Sequence, residues 1–523
     1  MSQIIMPKDP PLFVGADWNF SSLKTVYDAI EKVAIGEMGL DVYPNQIEVI
    51  TSEQMLDAYS SIGMPQLYRH WSFGKHFARD EMLYRKGARA LAYEIVINSN
   101  PCISYVMEEN SMTMQALVIA HAAFGHNHFF KNNYLFKQWT QADAILDYLS
   151  FAKEYVAKAE ERHGVEAVEA VLDSAHALMR QGVSRYPGKK DSRTAAAQKE
   201  QAREVRRRDH EEATFNDLWR TVPKGPSNGA GSKDKPSERQ VSHQETVVLG
   251  LPEENLLYFL EKNAPKLEGW KRELLRIVRM LATYLYPQRQ TKMMNEGCAT
   301  FVHYEIMNRL HDRGALTEGH MLEFLHSHSS VVFQPSFDKP YYSGINPYAL
   351  GFAMMQDIKR ISEEPTAEDK EWFPDLAGSG DGLGALKEAW AEFRDESFVL
   401  QYLSPKVIRD FHLFAVTNDS SASAVRVDAI HDERGYRRVR QRLARHYDSS
   451  SDDPSLEVTD ADLSGARRLV VTHKVRKGIL LDKEEADRTL LHLAQLWGYR
   501  VRLIEVDEQT GKTLKEHEAL PMP

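Results

Sequence analysis

The sequence predicts a mainly α protein with a small α+β domain at its C-terminus. Three observations carry that prediction. Apolar residues recur at helical spacing from "FSSLKTVYDAIEKVAIGEMGLDVYP" near the start to "NPYALGFAMMQDIKRI" in the second half. Between Tyr186 and Glu245 the chain turns polar, rich in Lys, Arg, Glu, Gln, Ser and Gly, too poor in apolar residues to build a core. Beyond about Phe411, β-branched runs such as "RRLVVTHKV" and "YRVRLIEVDEQTGKTL" take over.

Taken in order, residues 19 to 60 read as helix, opened by serines that can cap and stopped by Gly and Pro. "ALAYEIVINSNP" suits a strand or an extended turn, being a short β-branched run bounded by Asn and Pro. "MTMQALVIAHAAFGH" returns to a helical pattern. "DAILDYLSFAKEYVAKAEERHG" and "VEAVEAVLDSAHALMRQG" are amphipathic helices with glycine stops. Residues 186–250 then combine a charged, solvated helix with the flexible linker "PKGPSNGAGSKDKPSERQ". Two helices joined near "NAPKLEG" follow, and more helix runs through "GCATFVHYEIMNRLHDRG" and "MLEFLHSH". An aromatic-rich loop enters a helix after Pro347, where proline fits a first helical turn. At the end, "SASAVRVDAIH" and the two β-branched runs are strands, with "KEEADRTLLHLAQLWG" a helix between the last two. The expected division is 1–185 and 251–410 as two halves of a helical core, 186–250 as linker, and 411–523 as the α+β domain.

Composition narrows the function. At 523 residues, 42% hydrophobic and 27% charged, the chain is ordinary for a globular protein of two or three domains. A net charge of −10 argues against nucleic acid as a partner. The basic block Arg203 to Arg208 is followed at once by acidic residues and reads as a solvated helix face. The only cysteines are Cys102 and Cys298, which excludes a disulfide framework and a Cys-rich zinc finger, so any metal is left to His and carboxylate. No basic stretch leads into an apolar core at the N-terminus, and no run approaches the ~18 apolar residues of a spanning helix. A cytoplasmic protein is expected.

Two stretches carry the chemistry. In "MNEGCATFVHYE", Glu296, Thr300 and His303 stand at i, i+4 and i+7, so on a helix they share one face. A carboxylate and an imidazole so placed reach a common ion or a common proton. Gly297 beside the Glu admits a close neighbour. In "VIAHAAFGHNHFFKNN" three histidines, His121, His126 and His128, end an apolar run. His121 and His126 are five apart, about 140° around an ideal α-helix, which is not the spacing of a zinc-protease pair. Gly125 is placed to end or bulge the helix and bring the rings round. Ala122 stands where such a pair carries its catalytic Glu; Glu108 and Glu109 are the nearest acids. Histidines packed in a core are the competing reading of both stretches. Other polar residues in apolar settings include His70, Trp71, Lys75, His76, Glu94, Asn98, Asn100, His326, His328, Tyr341, Tyr342 and Asn346. Together they suggest a polar cavity lined from several segments. A serine nucleophile elbow, a Walker loop and a dinucleotide glycine loop are absent.

The blocks "YPNQIEVITSEQMLDAYSSIGMP", "HWSFGK", "LAYEIVINSNPCISYVMEEN", "HAAFGHNHFFKNN", "MNEGCATFVHY", "LEFLHSH" and "YSGINPYALGFAMMQDIKRI" closely resemble the SpoVR family. The resemblance spans residues from about 40 to 410, with a looser fit at the C-terminus. It implies a cytoplasmic protein tied to the spore cortex in spore formers and to stress or stationary-phase physiology elsewhere. The partners it implies are an AAA-type serine protein kinase and a von Willebrand factor A-domain protein. Relatives carry Trp at position 298, which weakens a nucleophile role for Cys298, and often Ser at 128. A looser similarity links "HAAFGHNH" and "NEGCATF" to the α-helical zinc peptidases, with their HExxxGHH-like and EGWA-like segments. It implies a helical core of that architecture. By position, His121, His126 and Glu296 would hold a divalent metal, zinc first, with Glu108, Glu109 or His303 as acid or base. Two functions follow as expectations. One is a metal-dependent hydrolase-like protein acting on a peptide or peptidoglycan-related bond, without the usual catalytic Glu. The other is a non-catalytic regulatory or scaffold protein working with the kinase.

Overall fold

The structure, a computed structural model, describes residues 10–60, 64, 67–71, 94–185, 249–337, 339–342, 344–417, 426–429, 431–448, 453–476 and 478–522. The charged helix and linker expected within 186–250, with Arg203 to Arg208, lie almost wholly outside the described residues, as do Lys75 and His76. The chain forms two units: Met1–Val165 with Thr283–Asp452, and Glu166–Ala282 with Asp453–Pro523.

The first unit opens with α1 (Phe20–Glu31), started by a capping box in which Asn19 and Ser22 satisfy each other's backbone N–H groups. The helix expected over residues 19 to 60 is interrupted. After Pro44, "NQIEVI" forms strand β1 (Asn45–Ile50), and helix resumes only at α2 (Ser52–Ser60). Tertiary pairing decides this. β1 runs parallel to β3 (Cys102–Met107), which pairs antiparallel with β2 (Glu94–Ile97), giving the order β1-β3-β2. The ambiguous "YEIVI" is thus a strand. Ser111 caps α3 (Met112–Ile119), whose every residue is buried. A helix that is mostly apolar on every side behaves so when it fills a core, and its two polar residues, Thr113 and Gln115, are buried with the rest. α3 runs into a π-helical segment, Ala120–His126, and on into α4 (Asn127–Asn132).

α5 (Ile145–His163) ends at Gly164, where φ is +87°. Nearly all of α6 (Val165–Ala177), all of α7 (Leu256–Asn263) and most of α8 (Gly269–Gln290) belong to the second unit, and the chain re-enters the first at Thr283. The chain then lays down α9 (Lys292–Asp312), α10 (Glu318–Val331) and α11 (Pro347–Glu363), the last with proline in its first turn as expected. α12 (Gly382–Glu392), α13 (Asp395–Tyr402), a two-stranded sheet of β4 (Ala415–Thr417) and β5 (Arg426–Ala429), and α14 (Glu433–Tyr447) complete the first unit.

α9 is the spine of the first unit, and small residues let its neighbours approach to backbone contact. A Cβ on Gly297 would sit 2.7 Å from the Gly351 carbonyl carbon of α11. On the other flank, a Cβ on Gly125 would sit 2.5 Å from Ala299 Cα. Asp395 secures the start of α9 by accepting from the N–H groups of Met293 and Met294, both at 2.9 Å.

In the second unit, β6 (Leu456–Ala461), β7 (Leu469–Val475), β8 (Val501–Asp507) and β9 (Thr513–Ala519) form a sheet in sequence order. β7 and β8 are parallel, joined by α15 (Lys483–Trp497) as crossover, and the outer pairs are antiparallel. Mainly helical with a small C-terminal sheet is therefore the architecture. Among the described residues no helix is long and apolar enough to cross a membrane.

Candidate metal centre

The five-residue spacing of His121 and His126 is resolved by the backbone. Both lie in the π-helical segment Ala120–His126. Its hydrogen bonds run from i to i+5, so residues five apart share a face. The two rings meet with centroids 4.7 Å apart and planes at 88°. Gly125 does not end the helix; it lies within the expected bulge, here a π-helical turn that brings His126 round to His121. At Gly125 that segment closes on Ala299 of α9.

Two carboxylates face the imidazoles. Glu296 Oε2, from α9, is 3.8 Å from His121 Nε2 and 3.6 Å from His126 Nε2. Glu94 Oε1, from β2, is 3.5 Å from His121 Nε2. Glu94, His121 and His126 each offer one donor atom within 4.8 Å of the others. Four donors around an ion with bonds of about 2.0–2.1 Å stand roughly 3.4 Å apart, close to the separations here.

The remaining ring nitrogens are already assigned. His126 Nδ1 lies 2.9 Å from Asn295 Oδ1, an oxygen that only accepts, so the proton sits on Nδ1 and the Nε2 lone pair faces the cluster. His121 Nδ1 lies 2.9 Å from His303 Nδ1, and His303 Nε2 lies 2.9 Å from His328 Nδ1. Metal-ligating histidines are oriented in this way, through a partner on the other nitrogen. Tyr348, in the first turn of α11, hydrogen-bonds Glu296.

Burial and neighbouring charge pull these groups apart. Burial raises Glu94, and the nearby Glu296 adds to this while His121 opposes it. Burial works the same way on Glu296 but loses to the hydrogen bond from His121, the two imidazole charges and Tyr348, and its carboxyl falls below the usual range. His126 is pushed down to about 4 by burial and is neutral at pH 7, the form that binds a metal. His303 is driven well below its ordinary value, by burial first and by His121 next. Of these three imidazoles His121 alone is raised, because its hydrogen bond to Glu296 and the charge of Glu94 outweigh burial.

The cluster opens on a cleft of about 250 Å³ lined by Glu94, His126, Asn295, Glu296 and Tyr348, with apolar walls from Ile95, Ile97 and Phe130. Of the six residues singled out from sequence for metal or catalysis, the structure brings together four: His121, His126, Glu296 and His303. Glu108 and Glu109 lie apart, exposed on the turn after β3. There Glu109 accepts from the Ser52 N–H, and the Glu108 carbonyl accepts from Trp18. His128 also turns away, its Nδ1 accepting from the Asp41 N–H. The Cys298 thiol is fully buried and raised well above its ordinary value, which makes it inert as a nucleophile. From sequence, Glu94 and His328 stood out only as polar residues of a cavity lined from several segments, and Asn295 and Tyr348 were given no role, although Asn295 stands beside Glu296.

A helical protein with a buried two-His, two-carboxylate cluster is the class that fold and site define. The "SpoVR like protein" family matches residues 17–452 and the "SpoVR-like C-terminal domain" matches residues 454–508. The chain belongs to the SpoVR family. It is 53% identical over 504 residues to "Uncharacterized protein YcgB" of Escherichia coli (strain K12), covering 96% of this chain and 95% of that one. No solved structure matches.

Proposed function

We propose that the chain is a metal-dependent, hydrolase-like protein in which His121, His126 and Glu296 hold a divalent ion, zinc first, and Glu94 fills the role that Ala122 leaves vacant. One observation carries this reading: Glu296 stands 3.8 Å and 3.6 Å from the Nε2 atoms of His121 and His126, and Glu94 stands 3.5 Å from His121 Nε2, beside an open cleft. A bound ion would supply Lewis-acid polarisation of a substrate carbonyl. The protein's own residues do the rest. Asn295 and His303 aim the imidazoles. Tyr348 holds Glu296. Glu94, raised by burial, is suited to carry a proton at its carboxyl oxygen. Ile95, Ile97 and Phe130 give the cleft its apolar walls. The helical core fits the looser likeness to α-helical zinc peptidases, and the substrate class is a peptide or peptidoglycan-related bond of the cell envelope. Metal analysis of untagged protein tests this. About one ion per chain is expected, lost in His126→Ala; stoichiometry near zero that added zinc, iron or manganese cannot raise would overturn it.

A regulatory or scaffold role beside the AAA-type kinase and the von Willebrand factor A-domain protein is the second reading, favoured by Ala122. Co-purification of the kinase with the His126→Ala protein, together with an unaltered phenotype of that variant, would select it.

A further inference from the structure

We infer that α10 and α11 each hold one of the donors of the candidate metal centre, so the tie between these two helices sets how tightly the site grips its ion. The inference rests on the metal reading above. A neutral imidazole has one N–H and one lone pair. With His121 Nε2 turned to an ion, its Nδ1 carries the proton and donates to His303 Nδ1. His303 must then donate from Nε2 to His328 Nδ1, so the chain of rings has one direction only. His328 belongs to α10, where Tyr304, Phe324 and Phe352 pack around its ring. At the start of α11, Tyr348 holds Glu296. One helix thus fixes a histidine donor through two rings, and the other fixes a carboxylate directly.

Asn346 joins them. Its Nδ2 donates to the carbonyls of Val331 (2.7 Å) and Phe333 (3.1 Å) at the end of α10, while its Oδ1 accepts from the Tyr348 N–H (3.0 Å). It touches neither donor. Asn346→Asp separates the two functions, because the carboxylate still caps α11 but cannot donate to α10.

Zinc affinity of the full chain, by competition with a chelator, and the visible absorption of the cobalt(II)-loaded protein test this. His328, His303 and Asn346 are positioning residues, and loss of such a partner weakens metal affinity about 10–100-fold. His328→Phe is expected within that range, with a shifted cobalt spectrum. His328→Gln, whose amide oxygen accepts from His303, recovers most of the affinity. Asn346→Asp weakens zinc about 10-fold with normal helix content by circular dichroism. If wild type binds zinc while Asn346→Asp and His328→Phe bind as tightly with unchanged cobalt spectra, the inference is wrong. Should His328→Phe not fold, Asn346→Asp decides alone. A wild type that takes up no zinc, iron or manganese instead overturns the metal reading beneath it.

Discussion

The two units of this protein each bury a cluster of histidines and carboxylates, and the clusters are built to opposite plans. In the second unit, His473 on β7 stands opposite Glu505 on β8, and His517 on β9, opposite Leu503, reaches Glu505 diagonally. Glu505 receives His473 Nδ1 at 3.1 Å, His517 Nε2 at 3.1 Å and the Leu481 N–H at 2.9 Å, and His517 Nδ1 meets Asp487 at 2.9 Å. Every contact is of hydrogen-bond length. In the first unit, His121 and His126 direct their bonded Nδ1 atoms away from the carboxylates. His121 Nε2 stands 3.5 Å from Glu94 and 3.8 Å from Glu296, and His126 Nε2 stands 3.6 Å from Glu296, longer than the contacts of the second unit and well spaced for an ion. The same residue types give a closed structural network in one place and an open donor set in the other. Composition does not separate them; the direction of the free nitrogens does.

If that contrast is right, the largest effect on stability comes from the closed network. Glu505→Ala strands three donors in a site where Glu505 is fully buried, and removal of a buried, bonded charge costs about 3–5 kcal/mol. Hydrogen exchange of β7–β9 amides and calorimetry should report this loss with metal stoichiometry unchanged. A cost below about 1 kcal/mol would mean that the network is no tighter than the open cluster.

The sequence made some of this legible. The helical periods, the proline start of α11 and the closing strands were readable because local pattern and final structure agree there. β1 was not, because "NQIEVI" becomes a strand only through pairing with β3, some fifty residues later. The π-helical segment was half legible: Gly125 marked a place where the helix could end or bulge, but the choice goes with its close approach to Ala299 of α9, which a local pattern does not show. Its consequence was that ideal α-helical geometry turned His121 and His126 away from each other. Glu94 was noticed only as one polar residue among several. Its place beside His121 depends on the pairing of Glu94 with Val106, and register is not written in a single strand. Proximity in sequence to the histidines favoured Glu108 and Glu109, but a turn directs both to solvent. His473 and His517 passed unremarked in strands that were otherwise readable.

Acid should separate the units next. Burial, first of all, holds His128 down to about 4, and its Nε2 is buried without a hydrogen-bond partner. Its unfolded value is about 6.5. A histidine lowered in the fold contributes stability that is complete above pH 6.5 and is lost as pH falls towards 4. At pH 5 that loss is about 2 kcal/mol. Burial also raises Glu505, but the Leu481 N–H and the two imidazoles outweigh it, and its carboxyl lies below the usual range. Its contribution is therefore complete above about 4.3 and fades only at lower pH. Between pH 7 and 5, in EDTA, the first unit should weaken while this network in the second does not. The difference between wild type and His128→Asn, whose amide oxygen still accepts from the Asp41 N–H, isolates the effect. Parallel curves for the two proteins would remove His128 from the account.

The smallest stability effect belongs to the open cluster, and it is the most informative about chemistry. Glu94→Gln is nearly isosteric, and it removes a charge that burial and Glu296 both disfavour. Without metal, stability should move by less than about 0.5 kcal/mol. Metal affinity should separate the two carboxylates. Glu296 stands within 3.8 Å of both Nε2 atoms and is held below the usual carboxylate range, which keeps it charged for a cation. Glu94 is raised, stands 3.5 Å from His121 Nε2 and, like Glu296, lines the cleft. Glu296→Gln should therefore lose zinc affinity by about 100-fold or more, whereas Glu94→Gln should hold zinc within about 3-fold, through His121, His126 and Glu296. Chelator competition on the two variants reads this directly. The reverse ranking would make Glu94 the ligand and leave Glu296, held by Tyr348, to carry the proton.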